Sequence, residues 1–449
     1  MNITQRTKQY VVVGLGKTGY SCVRYLLAKG HSVVVMDSNP SPRLADSLLH
    51  EYPNLVTSFG ALDSGLLQSA DEIVISPGVP VKTPEIQTAL TSGTPVIGDI
   101  DLFLREFKGR VIAITGSNGK STVTTLVGEM ALAQGLKASV GGNIGVPVLE
   151  LLSQDLDLVV LELSSFQLET IHDLKGHIAT VLNVSEDHMD RYDSLEHYVK
   201  TKHAIFKYAN TVISNQNDVL THALQSRDMK TVYFSMNQTL VNGFYYSELS
   251  NDDYGVLLNN EVWLKQSELK IKGKHNLSNV LTALSIGKAA GFEKTLMIDT
   301  IKSFTGLAHR CQWVRTLHSV DYINDSKATN VGAAVAAMDG LGHTKTKSIH
   351  LIAGGVGKDA DFTLMVDSVV NHCLSLNLIG QAAGELFDLF GAQVTCKKFD
   401  SLDQAVNHAH SLAKPGETVL LAPACASFDM YTGFEQRGNH FVELVEALK

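Results

Sequence analysis

The sequence predicts an α/β fold built as three successive α/β domains. Short apolar runs alternate with helix-length segments along the whole chain, and two of those runs pass directly into glycine-rich loops. The length, 449 residues, is about three times an ordinary domain of ~150 residues. In the first part, Tyr10–Val13, a helix near residues 20 to 29, Ser32–Asp37 and the run Glu72 to Gly78 make a parallel unit, residues 1–98. A break at Gly98-Asp99-Ile100-Asp101 opens the second part, residues 99–306, with apolar strands at 112–115, Leu158–Leu161 and 179–183 and a helix around 275 to 290. Thr305-Gly306-Leu307 reads as a hinge. The third part, residues 307–449, alternates again, with strands at 320–323, 348–353 and Thr418–Leu421. No internal repeat interrupts this order.

Composition narrows the class. Hydrophobic residues make up 44% and charged residues 18%, which is ample for packed cores and leaves no disordered tract. The formal charge of −9, from 37 basic and 46 acidic residues, argues against a nucleic-acid partner and for small anionic substrates met in local basic clefts. Cys22, Cys311, Cys373, Cys396 and Cys425 are scattered, with no C-x-x-C pair, as expected of a reducing compartment and packing roles. The first ten residues lack the apolar core of a signal peptide and no stretch approaches the ~18 apolar residues of a membrane span, so a cytoplasmic protein is expected.

Two loops carry the chemistry. In Ile112-Ala-Ile-Thr-Gly-Ser-Asn-Gly-Lys-Ser-Thr122 a buried strand runs into small residues and then a helix start, which is the build of a triphosphate cradle. Backbone N–H groups of Gly116, Ser117, Asn118 and Gly119 would face phosphate oxygens, Lys120 the outer phosphates, and Ser121 a Mg²⁺ ion, with Thr122 beside it. The usual first glycine of the pattern falls at Ile114. ATP is therefore the expected cofactor of the middle domain, a P-loop ATPase fold.

Gly14-Leu-Gly-Lys-Thr-Gly19 is a full G-x-G-x-x-G between the first strand and helix, with Asp37 ending the next strand, as in a Rossmann-like diphosphate loop. NAD or any nucleotide diphosphate satisfies it, and Ser76-Pro77-Gly78 ends another strand at the same sheet edge. An NAD-dependent oxidoreductase would need only this loop and would leave the other unexplained. Together the two loops point to ATP energy applied to a substrate carrying a nucleotide diphosphate. Glu162, emerging from the strand at 158–161, is a candidate Mg²⁺ ligand, and Asn183 to Tyr192 forms a second acidic and imidazole-bearing strand end around His188.

These segments, with Gly141–Gly145, 161–167, Gly273–Asn279, His309-Arg310 and Asn324–Asn330, resemble the Mur ligases across essentially the whole chain. Pro423–Asp429 and Phe434–Gly438 resemble its D-glutamate-adding branch. The resemblance implies a monomeric amide ligase of peptidoglycan synthesis with a Rossmann-like first domain binding a UDP-sugar, a central ATPase domain and a Rossmann-like last domain that delivers the amino acid and closes over ATP and substrate. It implies phosphorylation of the carboxylate of UDP-N-acetylmuramoyl-L-alanine and attack on the acyl phosphate by D-glutamate. The rival within the group is another of its ligases, a folylpolyglutamate synthase-like enzyme or a Mur ligase adding a different amino acid.

By the same resemblance, Lys120, Ser121 and Glu162 hold the β/γ-phosphates and one Mg²⁺. His188 and a CO₂-derived carbamate on Lys202 hold a second, although a helix lysine at that spacing would otherwise read as solvated. Asn276, Asn279, Arg310 and Asp325 bind ATP, with His309 orienting the acyl phosphate. Gly14, Gly16, Lys17, Thr18, Gly19, Asp37, Ser38, Gly78 and Asn143 bind the UDP substrate, and Lys327, Thr329, Lys358, Ser427 and Phe434 bind D-glutamate. One departure stands out: Asp37-Ser38-Asn39 lacks the arginine that relatives often place after the acid, the nearest being Arg43, and Lys17 is the candidate substitute.

Overall fold

The computed structural model describes residues 7–172, 174, 177–185, 191–207, 209–223, 229–250, 253–271, 273–342, 347–357 and 360–449. They divide into two compact units, one of residues 1–264 and 279–300, the other of residues 265–278 and 301–449. The helix Lys274–Ala290 gives its first residues to the second unit and the rest to the first.

The first unit holds two parallel sheets. One has the order Val56–Phe59, Ser32–Asp37, Gln9–Val13, Glu72–Ile75, Val96–Ile97. Its central strands are runs of β-branched residues with both faces covered, which is why they lack polar alternation. Chain order reverses between Gln9–Val13 and Glu72–Ile75, so the crevice at their carboxyl ends receives Gly14 on one side and Ser76 on the other. The first helix begins at Lys17, ahead of the expected residue 20, because the second half of the glycine loop is already its first turn, with Gly16 at the cap.

The other sheet runs Lys230–Phe234, Thr211–Asn215, Ile178–Val181, Arg110–Thr115, Leu158–Glu162, Ala138–Gly142, all parallel. A single apolar cluster from Tyr10 to Val212, passing through Phe103, Leu149 and Leu168, joins the cores of the two sheets. A three-stranded antiparallel sheet, Phe244–Ser250, Asp253–Leu258 and Glu261–Lys265, is absent from the sequence expectations. Its last hairpin turns on Asn259-Asn260, both at positive φ, as a two-residue type I′ turn demands.

In the second unit the order is Gln312–Leu317, Val320–Asn324, Thr418–Leu421, Ile349–Gly354, Cys373–Ile379, Thr395–Lys398. Only the first pair is antiparallel, closed by His318-Ser319 at positive φ. Apolar clusters cover both faces, one built on Met338, Phe362 and Phe390 and the other on Val406, Phe441 and Val445. The carboxyl ends at Asn324, Leu421 and Gly354 lie side by side.

Candidate active site

The triphosphate loop is built as its sequence reads. Arg110–Thr115 lies in the middle of its sheet with Ile114 wholly buried and paired to Glu162 and Thr180. The strand therefore extends through the position of the usual first glycine, and the loop starts only at Gly116. Gly119 adopts φ +79°, and a methyl there would collide with the side-chain oxygen of Asn279. Thus glycine is needed both for the turn and for the approach of a predicted ATP residue. Lys120 Nζ donates to the carbonyls of Gly116 (2.8 Å) and Ser117 (2.9 Å), folded back over its own loop. Ser121 is buried in the first turn of the helix Lys120–Ala133, with Thr122 following.

Glu162 ends the neighbouring strand at 2% exposure. Its Oε1 accepts from Asn143 Nδ2 at 2.8 Å, and its carbonyl accepts from the Asn143 N–H at 2.8 Å. Oε2 is buried, with no hydrogen-bond partner among the described residues. A carboxylate oxygen so placed carries a desolvation cost that a hard cation would relieve, so Glu162 fits the expected Mg²⁺. Asn143, expected at the UDP substrate, is thereby fixed against the candidate metal ligand. Among the described residues no group of three or more His, Cys, Asp or Glu side chains is clustered for an ion. His188 lies outside the described residues.

Lys202 is 1% exposed on the helix Leu195–His203, whereas Lys200 is on its solvent side. Its Nζ donates to the Gly116 carbonyl at 3.0 Å and lies 4.4 Å from the Tyr198 ring centre. The reading of this residue as solvated fails, since helix periodicity does not show that Tyr198 and the phosphate loop cover it. Ser117 Oγ meets Tyr198 Oη at 3.3 Å and receives the N–H of Ser185. Asn183 accepts from the Asn118 N–H through Oδ1 and donates to the Asn118 carbonyl through Nδ2. Tyr198 and Asn183 thus shape the cradle without having been singled out; their place at a strand end and one turn before Lys202 is the signal that could have found them.

In the other loop, Gly14 sits at φ +91° and Ser76 Oγ donates to its carbonyl at 2.6 Å. Asp37 accepts from the N–H groups of Leu15 (2.7 Å) and Asn39 (2.8 Å), so its carboxylate fastens the loop from within. Gly16, Lys17, Ser38 and Gly78 are exposed at the same edge, with Thr18 half-buried. Gly19 is buried, and a methyl there would fall on the Gly14 carbonyl oxygen, which is backbone and cannot yield. Gly19→Ala is expected to destabilise the first unit by about 1–3 kcal/mol, read by urea unfolding.

In the second unit, His309 (φ +63°) receives the Asn324 amide on Nδ1 at 3.1 Å, which leaves the proton of the neutral ring on Nε2. Burial holds the imidazole below its ordinary pKa. The His309 carbonyl accepts from the Lys327 N–H, and Lys327 Nζ stands 4.0 Å from the Phe434 ring centre. Burial, then repulsion from Arg310, lowers the Lys327 ammonium. Arg437, 1% exposed, donates to Ser326 Oγ and to the carbonyls of Ser326 and Cys425, tying the ends of adjacent strands. Burial brings its guanidinium down to about 10. The structure thus gathers His309, Lys327 and Phe434. Thr329 follows on the same loop, Ser427 is buried two residues beyond Cys425, Arg310 is exposed, Asn276 is buried, and Lys358 lies outside the described residues.

Asp325 is also buried, and burial pushes its carboxyl up to about 6 from 3.8, despite a Cys311 thiol 3.4 Å away. A raised folded pKa means stability present below pH 4 that is lost as pH climbs to 6 and stays lost above. Asp325→Asn is therefore expected to stabilise the protein by up to ~3 kcal/mol at pH 8 and by less at pH 5, in urea titrations at the two pH values.

Family models match three successive parts of the chain: the Mur ligase MurD-like N-terminal domain at residues 8–98, the Mur ligase middle domain at 114–287 and the Mur ligase glutamate ligase domain at 309–425. The chain is 47% identical over 438 residues to the UDP-N-acetylmuramoylalanine–D-glutamate ligase of Pseudomonas aeruginosa, covering 98% of each. It belongs to the Mur ligase family. A second ligase of that name, from Marinobacter nauticus, is 46% identical over the whole of both chains. Among solved structures, this Mur ligase is similar in fold to the UDP-N-acetylmuramate-alanine ligase MurC of Thermotoga maritima (TM-score 0.59, 18% identity, 99% and 100% of the chains). It is also similar to a pseudomurein peptide ligase type C of Methanothermus fervidus (TM-score 0.58, 17% identity, 99% and 100%). Its three α/β domains, Rossmann-like at both ends around a P-loop centre, are those of the family.

Proposed function

We propose that this chain uses ATP to join D-glutamate to the L-alanine carboxylate of UDP-N-acetylmuramoyl-L-alanine in peptidoglycan precursor synthesis. The observation that carries this is near-half identity along the full length to D-glutamate ligases. The family limits support domains at residues 1–98, 99–306 and 307–449. An NAD-dependent oxidoreductase gains no support, because it leaves the Lys120 loop and Glu162 without a task.

A carboxylate does not react with an amine because hydroxide and oxide are poor leaving groups. Transfer of the γ-phosphoryl group of ATP to the carboxylate makes an acyl phosphate and ADP. The D-glutamate nitrogen then attacks the carbonyl carbon, and the tetrahedral intermediate expels phosphate as the amide forms. Both steps build negative charge, so the site needs fixed donors and cations more than a strong base. Lys120 and the N–H groups of Gly116 to Thr122 would take the phosphates, with Asn276, Asn279, Arg310 and Asp325 on the nucleoside. His309, neutral and protonated on Nε2, would donate to the acyl phosphate.

Ser121 and Glu162 would hold one Mg²⁺, and His188 and a carbamylated Lys202 a second; bound there, the ions neutralise phosphate charge. Residues 14–19, Asp37, Ser38, Gly78 and Asn143 would take the UDP-sugar. Lys327, Thr329, Lys358, Ser427 and Phe434 would receive D-glutamate, whose two carboxylates suit two lysines and a hydroxyl. Among the described residues no helix is long and apolar enough to cross a membrane, and we place the enzyme, as a monomer, in the cytoplasm with its nucleotide substrates. Phosphate release from ATP should require the UDP precursor and D-glutamate together. In a panel of radiolabelled amino acids, incorporation of another in preference to D-glutamate overturns the proposal.

A further inference from the structure

Arg191 occupies a position that neither the phosphate chemistry nor the nucleotide loops explain. Its side chain is 9% exposed and four of the five N–H groups of its guanidinium donate to described residues. Nε and Nη2 form a fork on Glu169 at 2.9 and 2.7 Å, and Tyr192 Oη donates to the same carboxylate at 2.9 Å. The other donors point to a different domain: Nη1 to the Pro77 carbonyl at 3.0 Å and Nη2 to that of Val79 at 3.2 Å. The guanidinium lies 4.1 Å from the centre of the Phe166 ring, and Lys82 Nζ donates back to the Arg191 carbonyl at 2.9 Å.

The two carbonyls flank Gly78, in a turn closed by the Val79 N–H on the Ser76 carbonyl. Ser76 in turn holds Gly14 through its hydroxyl. Arg191 also lies three residues after His188. One planar group therefore spans the turn expected at the UDP-sugar and the helix Ser165–Leu168 with Glu169 at its end, which follows the candidate metal ligand Glu162.

We infer that Arg191 is a positioning residue that couples the seat of the UDP substrate to the segment that follows Glu162, the helix Ser165–Leu168 and Glu169. This rests on the proposed function for its kinetic consequence but not for its structural one. A guanidinium can serve Glu169 and two carbonyls at once because its donors form a rigid planar fork; a lysine at this site keeps the charge and loses that geometry. The coupling is thus separable from charge, and it leaves the amino-acid pocket of the second unit untouched.

The test is Arg191→Lys in the full-length protein. The KM for UDP-N-acetylmuramoyl-L-alanine is expected to rise about tenfold and the half-saturating Mg²⁺ concentration several-fold, with kcat within about threefold and the KM for D-glutamate within about twofold. Hydrogen exchange at residues 76–79, measured without substrates, should quicken about tenfold. Lys82→Met, at an exposed residue, should move the same quantities by about twofold and serves if Arg191→Lys does not fold. Unchanged exchange at 76–79, or a D-glutamate KM that moves in step with the others, overturns the inference. A wild-type protein inactive on the UDP precursor overturns the function instead, and the exchange result still decides the coupling.

Discussion

Replacing Lys202 by alanine is expected to lower the rate of ligation by a hundredfold or more, on the order of the loss seen when one fixed charge-stabilising group leaves a transition state. The side chain is enclosed, reaches the Gly116 carbonyl at 3.0 Å and lies over Tyr198. Truncation would leave a polar-edged void beside the triphosphate loop, where a small molecule can stand in. Which molecule restores activity identifies the form in which Lys202 works. If the group is a carbamate, it contributes oxygen ligands, and acetate or formate should return part of the rate. Bicarbonate should not, since no amine remains to take up CO₂. Restoration by methylamine instead would show that the ammonium itself is the working form, and full activity without any additive would remove Lys202 from the mechanism. The assay is phosphate release at saturating ATP, Mg²⁺ and both substrates, with the variant's thermal transition showing that it remains folded.

Lys202 also shows where the sequence stops being informative. Strand, loop and helix order around Thr115 to Thr122 follow from apolar runs and glycines, which are local properties, and so does the loop at Gly14 to Gly19. Glu162 could be placed because a carboxylate that ends a buried strand must emerge at the sheet edge beside the neighbouring loop. Whether a helical lysine is solvated or enclosed depends on contacts distant in sequence, here Gly116, 86 residues away, and no periodicity carries that. The same holds for Arg437, whose carbonyl partners come from residues 326 and 425. The antiparallel sheet of Phe244–Ser250 and its neighbours escaped because its strands are only partly buried, with mixed polarity, and its asparagine turn lacks glycine. Asp37 is expected at the UDP substrate; that its carboxylate also accepts from the Leu15 and Asn39 N–H groups and so orders the loop is something no spacing rule reveals.

Lys120→Ala is the other change with a large expected effect, a loss of about a thousandfold in kcat, at the upper end for removal of one charge-stabilising donor. Lys120 and Lys202 both donate to the Gly116 carbonyl, so two ammonium groups converge on one oxygen at the mouth of the loop. Lys120 holds this place with the flexible part of its side chain and can exchange the carbonyls of Gly116 and Ser117 for phosphate oxygens when a triphosphate enters. Carbonyl dipoles are weaker partners for an ammonium than phosphate anions, so the exchange favours the ligand, more so as charge gathers on the transferring phosphoryl group. The loss should therefore fall chiefly on the chemical step. Affinity for a nonhydrolysable ATP analogue is expected to weaken by about tenfold only, while single-turnover formation of ADP slows by the full factor. The thermal transition of Lys120→Ala, measured beside the rates, shows that the variant remains folded. A variant that binds the analogue a thousandfold more weakly, yet turns over normally once saturated, would make Lys120 a binding residue and not a stabiliser of the transferred phosphoryl charge.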